Sequence, residues 1–328
     1  MAAVEVAGLT KVFRSRKESV RALDGLDLAI PEGTVLGLLG PNGSGKTTTV
    51  RILATLLDAD EGSARVLGHD VAREPDIVRS LIGLSGQFSA VDENLTGREN
   101  LWMFGRLYGL PSSQARDRAA ELLEVFDLSE AAERTTKDYS GGMKRRLDLA
   151  GALVAQPRVL FLDEPTTGLD PKSRIELWEV IRRRVREGVT LLLTTQYLEE
   201  ADILADNIAV IDQGRVIAEG TADSLKASVG GERIEVVVHE ADQVGVAASV
   251  LRRHCEDDVG IEERHRRLTV ASSGGASVLV SIIRDLDAEG VGIDDIGLRR
   301  PTLDDVFLTL TGHAAERAEA TDTRRGAA

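Results

Sequence analysis

A chain of 328 residues that is 42% hydrophobic is long enough for two packed domains and too apolar to be read as disordered. Its formal net charge of −14 argues against a general nucleic-acid binder, which draws on a surplus of Lys and Arg. The single cysteine, Cys255, excludes an internal disulfide and any multi-cysteine metal site, and reads as a small, partly buried residue.

The opening MAAVEVAGLT carries neither the basic stretch nor the apolar run of a signal peptide. No stretch reaches the ~18 apolar residues of a spanning helix. The chain is therefore expected to be cytoplasmic, with any membrane spans supplied by another chain. Along residues 1–222, short apolar strands alternate with helical patterns, the sign of a mainly parallel sheet covered by helices. Strands are predicted at TVLGLLG (34–40), RVLFLDE (158–164), VTLLLTT (189–195) and NIAVIDQG (207–214). Consecutive helices fill 96–126, the first opened by a capping box of Thr96 and Glu99, and suggest a helical subdomain over about 90–155 inserted in the α/β core. The pattern breaks at KASVGGE. Beyond it RIEVVVHE, VGVAASVLRRHC, RRLTVASS, SVLVSIIRDLDAEG and IGLRR suggest a small α+β domain over 223–312, closed by a short helix in PTLDDVFLTLTG. The tail 313–328 has no apolar period and is expected to lack fixed structure.

Three stretches carry chemistry. GPNGSGKTT (Gly40, Pro41, Asn42, Gly43, Ser44, Gly45, Lys46, Thr47, Thr48) fits G-x-x-x-x-G-K-[ST] between a strand and a helix. Its glycines let backbone N–H groups curl round phosphate, the helix adds its positive end, Lys46 is placed for the β- and γ-phosphates, and the Thr47 hydroxyl for Mg²⁺. VLFLDEP buries a strand and delivers Asp163 to the metal and Glu164 as the base that orients and deprotonates the attacking water. No N-K-x-D stretch reads guanine, so ATP is the expected nucleotide. Between the two, YSGGMKRRLDLA offers Ser140 as a helix N-cap with Gly141 and Gly142 leaving the first turn bare, which makes an anion site.

In this order the motifs resemble the ATP-binding subunits of ABC transporters, and the resemblance covers about residues 4–222. YSGGM departs from the usual signature at Tyr139 and Met143. The resemblance implies that two such domains pair head to tail, each ATP lying between one P-loop and the other's signature helix. It implies further that Gln87 contacts Mg²⁺ and the membrane partner, that Phe13 stacks on adenine, and that Asp170 crosses the dimer interface. Taken singly, Phe13 would pass for core, Asp170 for a helix cap and Gln87 for a surface amide. Where the family usually carries a histidine toward the γ-phosphate, this chain has Gln196. That substitution, YSGGMKRRLDLA and the ending LRRPTLDDVFLTLTG resemble the daunorubicin-resistance subgroup, to about residue 313. The resemblance implies a homodimer at the cytoplasmic face of the membrane that drives drug efflux through a separate permease. Two alternatives stay open: a soluble ABC ATPase acting on ribosomes or nucleic acid, and an ATP-dependent regulator whose C-terminal domain senses a ligand.

Overall fold

The computed structural model describes residues 2–14, 19–86, 90–229, 231–255, 258–272, 274–299 and 301–310. Gln87 and the tail 313–328 lie outside them. The chain divides into two compact units, Met1–Ala222 and Asp223–Ala328.

In the first unit the long strands β1 (Ala2–Arg14) and β2 (Ser19–Pro31) pair antiparallel. β3 (Val35–Leu39) is buried throughout and runs into the P-loop and α1 (Lys46–Leu53). β4 (Glu61–Val66) and β5 (His69–Asp70) return to complete a four-stranded antiparallel sheet in the order β2-β1-β4-β5. The alternation of apolar and polar residues on these strands is half-exposed and irregular, broken by register shifts. That is why a search for continuous apolar runs passes over this sheet. α2 (Pro75–Leu81) leads into β6 (Ile82–Ser85), after which come α3 (Gly97–Leu107), α4 (Ser112–Val125) and α5 (Gly141–Ala152). The capping box is formed as expected: Thr96 Oγ1 accepts from Glu99 N and Glu99 Oε2 from Thr96 N.

β7 (Val159–Asp163), α6 (Pro171–Arg186), β8 (Thr190–Thr195), α7 (Leu198–Leu204), β9 (Asn207–Asp212) and β10 (Arg215–Gly220) follow, and α8 (Ala222–Ser228) leads into the second unit. The second sheet runs β10-β9-β3-β8-β7-β6, parallel except for β10 on β9. Its parallel strands are apolar on both faces because both faces are covered, while the edge strand β10 alternates between exposed and half-buried residues. Leu160, Leu162, Leu191 and Leu193 pack into a core with residues of α4, α5 and α6. Their neighbours Phe161, Leu192, Leu36 and Leu38 enter a second core shared with α1 and the antiparallel sheet. Truncating one such leucine to alanine costs ~2–5 kcal/mol. For the site, the decisive fact is the register. Leu39 lies beside Thr195 and Asp163 beside Thr194, so β3, β8 and β7 end together at one edge.

In the second unit β11 (Arg233–Val238), α9 (Val244–His254), β12 (Gly260–Glu262), β13 (Arg267–Ala271), α10 (Gly275–Ala288) and β14 (Ile293–Arg299) form an antiparallel sheet, β12-β13-β11-β14, with two helices. Ile234, Val236 and Val238 alternate inward to a core with α9 and α10, against which Cys255 packs half-buried. β12 is three exposed residues and has no sequence signature. A helix spans 303–310.

Candidate functional site

The P-loop is built by its glycines. Gly45 sits at φ 113°, and a Cβ there would lie 2.6 Å from the Ala22 carbonyl oxygen. A Cβ on Gly40 would lie 2.3 Å from the Ile211 carbonyl oxygen. Neither place admits a side chain. Lys46 opens α1 and is buried; its Nζ folds back to donate to Gly40 O at 2.8 Å and Pro41 O at 3.0 Å. Burial pushes its pKa below the ordinary lysine value, partly offset by the charges of Glu164 and Asp163. The Ser44 hydroxyl is buried with no hydrogen-bond partner. A glycine-lined loop holding an orphaned hydroxyl and an ammonium satisfied only by its own carbonyls fits a polyphosphate.

At the end of β7, Asp163 Oδ1 accepts from Thr47 Oγ1 at 3.3 Å and from Thr194 Oγ1 at 2.5 Å. A hydroxyl and a carboxylate are hard oxygen donors suited to Mg²⁺. Among the described residues no cluster of three His, Cys, Asp or Glu could hold a metal alone. An ion between Thr47 and Asp163 would therefore complete its shell with phosphate and water oxygens. Next along, Glu164 is buried and held at φ 51°, a conformation uncommon outside glycine. Its N–H donates to Thr194 O at 3.0 Å and Oγ1 at 3.2 Å, and its Oε2 accepts from Thr167 Oγ1 at 3.3 Å.

What holds this turn is a residue that sequence reasoning missed. Arg145, on α5, donates to Pro165 O at 2.6 Å, Glu164 O at 3.1 Å, Asp163 O at 3.2 Å and Gly86 O at 2.6 Å. It pairs with buried Asp148 at 3.6 Å, which in turn accepts from Ser85 Oγ at 2.6 Å and Ala90 N at 2.8 Å. The signature helix thus grips both the acidic turn and the residues flanking 87–89. The one available signal was arginine and aspartate three apart on a helix, which ordinarily reads as a surface pair.

Pro41 joins the cluster of Lys46, Thr47, Asp163, Glu164 and Thr194 through its carbonyl on Lys46. Ser140 caps α5, accepting from Met143 N at 3.2 Å, and is exposed with Gly141, while Gly142 is half-buried. Phe13 is 43% exposed, with the Lys11 ammonium 5.9 Å from its ring centre. Asp170 caps α6, accepting from Ser173 N and Oγ at 3.0 and 2.7 Å, bonds that hold its carboxyl below the usual range. Gln196 is exposed just past β8, at the edge where β3 and β7 also end. Asn42 and Gly43 lie exposed at the loop tip, and Pro41, Thr47 and Thr48 are half-buried.

Residues 23–167 match the family model for ABC transporters, and 220–311 the model for the C-terminal domain of DrrA1-3-like ATP-binding proteins. The daunorubicin resistance ATP-binding protein DrrA2 of Streptomyces coeruleorubidus is 58% identical over 310 residues, 94% of this chain and 96% of that protein. The chain belongs to the DrrA-type ATP-binding proteins of the ABC family. The daunorubicin/doxorubicin resistance ATP-binding protein DrrA of Streptomyces peucetius is 49% identical over 314 residues, 96% of this chain and 94% of its own length. Among solved structures, a dimeric ATP-binding cassette in a post-hydrolysis state with ADP and Pi has a TM-score of 0.62 and 26% identity, covering 66% of this chain and 98% of that one. This DrrA-type chain is an ABC-type ATP hydrolase, and among its described residues no helix is long and apolar enough to cross a membrane.

Proposed function

We propose that the chain energises export of a drug or antibiotic through a separately encoded membrane permease, at the cytoplasmic face, as a head-to-tail dimer. The observation that carries this is identity to drug-resistance ATP-binding proteins that runs through both units, the C-terminal one included. In this reading Lys46 leaves its carbonyls for the β/γ-phosphates, and the P-loop N–H groups and α1 terminus hold the anion. Thr47 and Asp163 would hold Mg²⁺, which when bound neutralises phosphate charge. Glu164 takes the proton from water, fixed by Thr194 and Arg145. Gln196 orients without titrating, since an amide neither gains nor loses a proton near neutral pH. Phe13 stacks on adenine. Ser140 and Gly141, exposed on one copy, and half-buried Gly142 close on the γ-phosphate of the other, and Asp170 stands at their interface. Gln87 links this site to the permease, a role that rests on the family pattern alone.

The test is functional. The chain is expressed in a drug-sensitive host with a multispanning membrane protein encoded beside it, and anthracycline accumulation is compared with that of cells carrying the Lys46→Ala chain. Lower accumulation only with the parent supports the reading; equal accumulation contradicts it.

A further inference from the structure

Glu200, on α7, is a wholly buried carboxyl that the site described above does not use. Its Oε1 accepts from the Trp178 Nε1–H of α6 at 3.0 Å, while its Oε2 has no hydrogen-bond partner. The Thr166 hydroxyl is likewise buried and without a partner. The Thr166 and Thr195 hydroxyls both face this carboxyl closely enough to pull its pKa down, yet burial outweighs them and pushes it up. Arg174 from α6 and Arg145 from α5 are the charges that act on it.

The positions of these groups in the chain give the arrangement its meaning. Thr166 lies two residues after Glu164 and four before Asp170. Thr195 immediately precedes Gln196, and Glu200 follows it by four. One buried group therefore sits between the segment bearing the water-activating carboxylate and the segment bearing the γ-phosphate amide. The Thr166 hydroxyl lies near this carboxyl, and each is left with a buried polar atom short of a well-formed bond, which is costly; a small shift of either segment recovers it. We propose that Glu200 is a positioning residue for hydrolysis: its side chain, anchored on Trp178, couples the Gln196 segment to the Glu164–Asp170 segment by closing a hydrogen bond to Thr166 when nucleotide is engaged.

This rests on the site reading above, so the experiment separates the two. Steady-state ATP turnover by the full chain is compared for Glu200→Gln, Glu200→Ala, Thr166→Val and Glu164→Gln, with thermal melts of each. Glutamine can accept from Trp178 and donate to Thr166, and alanine can do neither. Glu200→Ala and Thr166→Val are expected to lose ~10-fold or more in kcat, within the ~10²-fold that a misplacement of about 1 Å costs. KM for ATP should stay within about twofold, and Glu200→Gln should restore most of the rate. Should Glu200→Ala fail to fold, Thr166→Val and Glu200→Gln still decide. Parent-like turnover by Thr166→Val, a change confined to KM, or Glu200→Gln as slow as alanine would overturn the proposal. If Glu164→Gln is inactive in the same series, that failure leaves the base assignment standing. A fully active Glu164→Gln would sink both.

Discussion

Gln196 takes the place at which the wider ABC resemblance implies a histidine, and the fold leaves it exposed beyond β8 beside the ends of β3 and β7. Loss of one transition-state donor costs up to ~10²-fold in rate at the lower end for such groups. Gln196→Ala should therefore slow turnover with little change in ATP affinity. Gln196→His should remain active and gain a pH dependence between about 5 and 8, read as the ratio of its pH–rate profile to the parent's. An alanine variant as fast as the parent would reduce the glutamine to a strand-end amide. Glu200 gives a second pH signature, in stability. Its native pKa lies above the ordinary 4.5, so above that pH the native state keeps a proton that the unfolded chain has released. Its contribution is present below pH 4.5 and is lost as pH rises through the native pKa. Urea unfolding across pH should show Glu200→Gln gaining on the parent through that window; parallel curves would contradict it. The motif residues were legible because each needs its neighbours in order: glycines before Lys46, an apolar strand before Asp163. Arg145 and Glu200 were not, since a lone charged residue in a polar helix looks solvated until the opposing carbonyls or indole are known.

At the scale of elements, four parallel strands could be read because burial on both faces leaves continuous apolar runs, and β3, β7, β8 and β9 fall within their expected stretches, whereas the four-residue β6 was not foreseen. The antiparallel sheet could not, because register shifts break its alternation, and β12 is too short and exposed to leave a pattern. The helix α5 does more than present Ser140. Through Arg145 and Asp148 it fastens the turn at Glu164 to Gly86 and Ala90. Arg145→Ala would strand several buried carbonyls and leave Asp148 without its cation, a loss of about 3–5 kcal/mol for breaking a buried pair. Denaturant unfolding should register that loss, and hydrolysis should fall with it because the strained Glu164 turn is released. A variant with parent-like stability and rate would show that Thr194 alone holds the turn.

For the whole molecule, every nucleotide motif lies within Met1–Ala222, and the second unit has its own core around Ile234, Val236 and Leu251. A chain truncated after residue 228 should keep ATP photolabelling near the parent level while losing drug export. Loss of labelling in a truncation that is still folded would mean that the second unit contributes to nucleotide binding. The sequence pattern changes at KASVGGE, a few residues beyond the end of the first unit at Ala222. In the proposed dimer, Glu164 is the base of a site completed by the exposed Ser140–Gly141 terminus of a second copy. Removing the base without removing charge-independent binding should trap that assembly. Glu164→Gln, incubated with ATP and Mg²⁺ and run on size-exclusion chromatography with turnover measured in parallel, is expected to elute as a dimer and to hydrolyse ~10²–10⁴-fold more slowly than the parent. Elution as a monomer only, or hydrolysis at the parent's rate, would contradict the account.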